Sequence, residues 1–220
     1  MKEILLLGSD KYKSLSTLEW CASLLNDFFS DCKKIAFVPY ADVLMDYNEY
    51  EHLMQNKVSK KIRSIHNDPE LILNESDGIL VAGGNVFVLL HKLKELNLLN
   101  LIKEKINNDT PYAGWGAGAS IVSKSIKACY DLPLVYPSDL NALDCMDYQI
   151  LTEYSAVNHL QTDKLVEFFK LNPNTSLFAL PHGSCLKISN QTALVLGNEG
   201  IFKLSEHYEQ YFRIGDFIKI

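Results

Sequence analysis

The sequence predicts an α/β protein in which a mainly parallel sheet is covered by helices on both faces. Short apolar runs of strand length alternate with longer segments whose apolar residues recur at helical spacing. The short runs are apolar throughout, as in parallel strands buried on both faces, and a glycine or proline closes each of them. The expected architecture is therefore a three-layer α/β/α sandwich.

Four such strands are predicted in the first half of the chain, over residues 3–7, 35–38, 78–81 and 111–115. Gly83 and Gly84 follow the third strand, and Gly116 follows the fourth. The carboxyl ends of parallel strands meet at the edge of the sheet where ligands bind. Both glycine turns are therefore expected on one rim of the molecule.

The segments between these strands are predicted to be helical. Ser16 or Thr17 is predicted to cap a helix that ends near Phe29, and Asn85 is predicted to cap another. Residues 46–65 are predicted as one exposed amphipathic helix. Further helices are predicted over residues 69–73, 98–106 and 160–169.

The pattern changes after Ser125. Residues 130–147 are rich in turn-forming side chains and are predicted to be largely loop. A strand over residues 177–180 ends at Pro181, His182 and Gly183. Residues 186–188, 193–196 and 201–204 are predicted as an antiparallel meander at the sheet edge. No repeat or linker divides the chain, so residues 1–220 are predicted to form one domain.

Composition argues against several function classes. The net charge of −6 disfavours a nucleic-acid or anionic-membrane partner, since both require a basic surface. Five cysteines without a C-x-x-C pair argue against a zinc knuckle or a disulfide framework, and indicate reduced thiols. No apolar segment has the length of a membrane span or of a signal-peptide core. A soluble, cytoplasmic protein without metal or cofactor is expected.

The stretch from Tyr112 to Ser120 reads Tyr-Ala-Gly-Trp-Gly-Ala-Gly-Ala-Ser and matches the nucleophile elbow, G-x-S-x-G, at four of five places. In that motif a sharp strand-to-helix turn lifts a serine hydroxyl above the sheet. The central position here is Gly116, which has no side chain to attack a carbonyl. Taken alone, the match favours a glycine turn that packs a helix against a sheet.

Several stretches together resemble the peptidase E family, the aspartyl dipeptidases among the serine peptidases. Residues 83–87, Gly-Gly-Asn-Val-Phe, resemble the family's Gly-Gly-Asn-Thr-Phe, and residues 114–119, Gly-Trp-Gly-Ala-Gly-Ala, resemble its Gly-Trp-Ser-Ala-Gly-Ala. Residues 131–137 and 142–144 resemble a further family stretch, and residues 180–183, Leu-Pro-His-Gly, resemble its Leu-Pro-Glu-Gly. The resemblance implies a fold like that of class I glutamine amidotransferases, a flavodoxin-like sandwich. It also implies serine-type hydrolysis of dipeptides with an N-terminal Asp.

The resemblance further implies that all three positions of the catalytic triad are substituted. The family's nucleophilic serine falls on Gly116, its general-base histidine on Glu153 and its acidic partner on His182. Glu153 and His182, with exchanged residue types, are therefore predicted to lie within hydrogen-bond reach or one water molecule apart. The backbone amides of Gly84 and Ala117 are predicted to remain as an oxyanion-hole-type binding site, since backbone donors do not depend on side chains.

Other residues are predicted to have structural roles. Ser120 is interpreted as a helix serine bonded to a backbone carbonyl, ahead of a substitute nucleophile. Cys185 is predicted to be a buried apolar residue, and His159 and His207 to lie on the surface. The arginine that the family tends to carry before the helix at residues 160–169, which would suit an aspartyl substrate, is absent from residues 158–163.

Three function classes follow. The first is a homologue that has lost its nucleophile and binds a small peptide or an acidic small molecule. The second is an active hydrolase that uses a displaced nucleophile or a water molecule activated by Glu153 and His182. The third is a purely structural or homo-oligomer-forming relative. The residues favour the first, because Gly116 removes the nucleophile outright.

Overall fold

The computed structural model describes residues 2–220 and contains two sheets. The strands are, in chain order, β1 (Glu3–Leu7), β2 (Lys34–Val38), β3 (Lys61–Ser64), β4 (Gly78–Val81), β5 (Tyr112–Trp115), β6 (Gln149–Thr152), β7 (Leu177–Leu180), β8 (Ser184–Ser189), β9 (Thr192–Gly197), β10 (Ile201–Ser205), β11 (Tyr208–Phe212) and β12 (Phe217–Lys219). The helices are α1 (Ala22–Phe28), α2 (Tyr47–Gln55), α3 (Pro69–Glu75), α4 (Val86–Glu95), α5 (Leu99–Asn107), α6 (Ala117–Ser120) and α7 (His159–Leu171).

The larger sheet has eight strands in the order β12-β9-β8-β1-β5-β4-β2-β3. The five strands from β1 to β3 in this order are parallel, as predicted, whereas β8, β9 and β12 extend the sheet in antiparallel fashion. The smaller sheet has the order β11-β10-β7-β6, with β6 and β7 parallel. Within residues 2–220, no helix combines the length and the apolar character required to cross a bilayer.

Helices cover both faces of the larger sheet, which confirms the three-layer prediction. On one face Leu25 of α1 and Met54 of α2 pack against Phe37 and other strand residues. On the opposite face α3, α4, α5 and α6 bury a larger apolar cluster, to which Leu89 and Ile102 contribute. Successive side chains along each strand point to opposite faces of the sheet, so every strand contributes to both apolar clusters. This is why the strands are apolar throughout.

Residues 46–65 do not form a single helix, so that prediction is wrong. The helix ends at Gln55. The Gln55 side-chain amide donates to the carbonyls of Val58 and Lys60, and its oxygen accepts from the Ile62 amide. These bonds turn the chain into β3, whose alternating burial is that of an edge strand. The apolar residues of this short strand happen to fall at the spacing expected for a continuing helix. The sequence pattern therefore did not show that the helix ends.

The helix predicted to start at Ser16 or Thr17 begins later. Leu18 has a left-handed backbone with φ of 58°, a 3₁₀ turn spans Glu19–Cys21, and α1 follows. The Ser16 hydroxyl donates to the Glu19 carboxylate and does not cap α1. Buried Leu18 fixes this turn, so packing overrides the local capping signal.

The C-terminal strands divide between the two sheets. The segment predicted as one edge meander supplies β8 and β9 to the larger sheet, whereas β10 pairs with β7 and β11 in the smaller one. Sequence patterning did not predict β6, β11 or β12. The exposure of β11 along almost its entire length explains its weak apolar signal.

Helix α6 lies in direct contact with the carboxyl ends of β4 and β5. A Cβ atom at Gly118 would overlap the carbonyl oxygen of Val81, so only glycine permits this approach. The buried Tyr112 hydroxyl donates to the Gly118 carbonyl at 2.5 Å and ties β5 to α6. The spacing of glycines around the elbow is therefore a packing requirement of the sheet.

Replacement of Gly118 tests this packing. We expect Gly118→Ala to lower the free energy of unfolding by about 3 kcal/mol, the upper end of the usual overpacking range, because two backbone segments must move apart. Gly116→Ala should cost about 1–2 kcal/mol, since its Cβ would lie 3.3 Å from the nearest atom and only the backbone conformation is unfavourable. Urea denaturation of both variants measures the difference. Equal losses would show that α6 does not depend on the Gly118 contact.

Candidate functional site

A cavity of 210 Å³, here named the elbow cavity, lies where β4 and β5 end. Its wall is formed by five segments: the turn after β4, the elbow, the loop after residue 128, the end of β6, and α7. The lining residues are Gly84, Gly116, Ala117, Ser120, Cys129, Tyr130, Asp131, Leu151, Thr152, Glu153 and Gln161. Both glycine turns therefore open on one rim, as the strand pattern predicts.

The elbow backbone at Gly116 has a positive φ, which glycine adopts without strain and other residues rarely adopt. Gly116 has φ of 52° and ψ of −119°, and its carbonyl accepts from the amides of Ala119 and Ser120 at 3.0 and 2.9 Å. A Cβ at this position would lie 3.3 Å from the Gly83 Cα. The turn thus has nearly enough space for a side chain directed over the sheet, as in a nucleophile elbow.

Gly84 and Ala117, whose backbone amides are potential donors, both line the cavity. In the described part of the chain, neither amide donates to a protein acceptor. Two unpaired donors at one wall can bind a carbonyl or carboxylate oxygen.

Glu153 lines the cavity directly after the end of β6. Its backbone has φ of 55°, and its amide donates to the Gly8 carbonyl at 3.1 Å. Its carboxylate accepts from the Ser9 hydroxyl at 3.4 Å. The left-handed backbone thus directs the Glu153 side chain toward the end of β1.

His182 follows β7, the parallel neighbour of β6, where Leu180 is in register with Thr152. The two sequence positions are therefore adjacent strand ends, as the resemblance implies. The His182 side chain is nevertheless exposed and lies outside the cavity lining. No hydrogen bond or ion pair joins these two described residues, so Glu153 and His182 do not contact each other directly; that one water molecule joins them stays a prediction. The orientation of Glu153 toward Ser9 explains this result.

Asp131 is a site residue that the sequence did not reveal. Its carboxylate accepts from the Val86 amide at 2.6 Å, at the start of α4. Burial raises the pKa of Asp131, the Val86 hydrogen bond opposes this, and the charge of Glu153 raises the pKa further. A single aspartate in a loop belongs to no sequence pattern that identifies a site residue. Only its position in a stretch that resembles the family could have suggested a role.

Asn85 connects the same loop to the first glycine turn. As predicted, it caps α4, accepting from the amides of Phe87 and Val88 at 3.1 Å. Its side-chain amide also donates to the Leu132 carbonyl at 2.7 Å. Asn85 and Asp131 therefore fix the loop at one end of the cavity, beside the start of α4.

The remaining predicted residues are distributed as follows. Ser120 is buried and lines the cavity, but its hydroxyl contacts that of Thr152 at 3.4 Å, where a backbone carbonyl was expected. Cys185 is fully buried in β8, as predicted, and burial raises the pKa of its thiol. His159 and His207 are exposed, also as predicted. Across residues 2–220, no three His, Cys, Asp or Glu side chains are grouped so that they could hold a metal ion.

Comparison with known proteins identifies relatives over almost the whole chain. The sequence model of peptidase family S51 matches residues 4–196. A protein named Peptidase E from Haemophilus influenzae (strain PittGG) is 40% identical over 222 residues, covering 95% of each chain.

Two solved structures share the fold. A peptidase from an acI-B1 Actinobacterium has a TM-score of 0.78 at 16% identity, covering 99% of this chain and 96% of its own. A putative peptidase E from Listeria monocytogenes EGD-e has a TM-score of 0.69 at 22% identity, covering 90% of this chain and 100% of its own.

The raised pKa of Asp131 predicts a specific pH dependence. A group whose pKa is higher in the folded state stabilises the fold fully below the unfolded value, near 3.8, and this contribution is lost as pH rises through the folded value. Asp131→Asn removes the titration while keeping an oxygen for the Val86 amide. The free energy of unfolding of the wild type, relative to this variant, should therefore fall as pH rises from 3 to 7.

Denaturant unfolding at several pH values measures this difference. Asp163→Asn on the exposed face of α7 removes the same charge outside the cavity and should follow the wild type in parallel. A difference between Asp131→Asn and wild type that does not vary with pH would show that Asp131 is not desolvated.

Proposed function

The chain belongs to peptidase family S51, and we propose that it has lost serine-type hydrolysis and retains the elbow cavity as a binding site for a small molecule. One observation carries this proposal. The position at the apex of the elbow is Gly116, whose backbone has the required turn and whose hydroxyl-bearing side chain is missing.

No other nucleophile in the cavity is activated. In the described part of the chain the Ser120 hydroxyl has one hydrogen-bond partner, the Thr152 hydroxyl, and a serine needs an adjacent base to attack a carbonyl. Cys129 also lines the cavity, but burial raises the pKa of its thiol to about 12, so the reactive thiolate is scarce at neutral pH. Neither residue supports a displaced serine- or cysteine-type mechanism.

The groups needed to activate a water molecule are also incomplete. Glu153 could accept a proton, but hydrolysis of a peptide also needs an acid to protonate the leaving amine. His182, the other substituted triad position, is exposed outside the cavity wall. The described residues that line the cavity therefore include no histidine to pair with Glu153, as the family's mechanism requires.

Turnover of dipeptides tests the proposal directly. Purified wild type should hydrolyse aspartyl-leucine, alanyl-leucine and lysyl-leucine no faster than buffer, and a fluorophosphonate should label no serine. Gly116→Ser alone should restore little activity, because triad members act as a unit. Combining Gly116→Ser with Glu153→His and His182→Glu should raise the rate about a hundredfold over Gly116→Ser, the lower range for general-base catalysis.

The folded state of each variant is checked by circular dichroism and thermal unfolding before its activity is compared. Wild-type turnover at about 1 per second or faster, the range of ordinary enzymes, would contradict the proposal. Stoichiometric labelling of Ser120 would contradict it as well, because it would identify a displaced nucleophile.

A further inference from the structure

The elbow cavity is lined by acidic side chains and by no basic ones. Among the described lining residues, Asp131 and Glu153 are the carboxylic acids, and none is a lysine, arginine or histidine. The neighbouring cation is Lys164, whose ammonium lies 5.9 Å from the centre of the Tyr130 ring. The walls of the cavity therefore present two carboxylates without a countercharge of their own.

Neither carboxylate is fully satisfied by the protein. Asp131 accepts one hydrogen bond, from the Val86 amide to Oδ2, and Glu153 accepts one long bond from Ser9 to Oε1. In the described part of the chain, no salt bridge involves either residue. Ionised carboxylates each offer about four acceptor sites, so most of theirs remain open.

The two carboxylates also act on each other. Asp131 and Glu153 line the same cavity, and the charge of Glu153 contributes to the raised pKa of Asp131. Two like charges repel each other in a partly desolvated site. A cation between them adds a favourable interaction with each carboxylate. An anionic ligand would add a third negative charge to the same space.

We propose that the elbow cavity binds a small organic cation, whose ammonium group lies between Asp131 and Glu153. This inference rests on the proposed function, since it assigns a ligand class to the same cavity. It differs from the acidic small molecule that the sequence analysis considered beside a small peptide. The hydroxyls of Ser120 and Thr152 and the amide of Gly84 would then contact the uncharged part of the ligand.

Ligand-induced thermal stabilisation with matched probes tests the charge requirement. The probes are alaninamide, which is cationic at pH 7, its neutral analogue N-acetylalaninamide, and the dianion succinate. At low ionic strength alaninamide should raise the unfolding temperature saturably, whereas the other two should not. In 0.5 M NaCl the affinity for alaninamide should fall, because salt screens partly exposed charges.

Variants locate the binding site. Asp131→Asn and Glu153→Gln should each weaken alaninamide binding about tenfold or more, the usual consequence of removing one charged hydrogen-bond partner. Glu104→Gln, an exposed position on α5 outside the cavity, removes the same charge and should bind as the wild type does. This control separates a local ion pair from the effect of net charge.

Several outcomes would overturn the inference. One is stabilisation by succinate or N-acetylalaninamide in place of alaninamide, which would leave a binding cavity and thus the proposed function intact. Another is equal weakening by Glu153→Gln and Glu104→Gln, which would place the amine on the general surface. The absence of stabilisation by any probe would also reject the inference, while dipeptide turnover independently decides whether catalysis has been lost.

Discussion

The contact between α6 and the carboxyl ends of β4 and β5 is the constraint on which the elbow depends. Gly118 permits the close approach, and the Tyr112 hydroxyl fixes the Gly118 carbonyl inside the core. This packing holds the turn at Gly116, whose φ is positive. Glycine adopts such a φ without strain, whereas another residue would be strained there. The packing of the sheet thus accounts for the turn without any side chain at position 116.

The cavity above this turn is assembled from segments that are distant in the sequence. Asn85 and Asp131 join the first glycine turn to the long loop, and Glu153, which contacts Gly8 and Ser9, also lines the cavity. The same hydrogen bonds that shape the cavity bring Asp131 and Glu153 to its surface. Asp131 and Glu153 therefore both support the cavity and give it its acidic character. This character disfavours anionic ligands.

The sequence predicted the parts of the fold that depend on local pattern. The parallel strands β1, β2, β4 and β5 were visible as apolar runs, and the Asn85 cap as a local signal. Features set by tertiary contacts escaped prediction. β3 begins where Gln55 redirects the chain, and β10 leaves the predicted meander because it pairs with β7. Within the site, Gly84, Gly116 and Ala117 follow from the motif. The side-chain direction of Glu153 and the burial of Asp131 depend on contacts that no spacing encodes.

If sheet packing maintains the elbow, the turn should tolerate a side chain at position 116 without moving. A crystal structure of the Gly116→Ser variant tests this. We expect the substituted residue to keep φ and ψ near 52° and −119°, with its hydroxyl directed into the cavity and α6 unmoved. A backbone that relaxes to negative φ, or an α6 displaced from β4, would show that the turn depends on the residue at position 116.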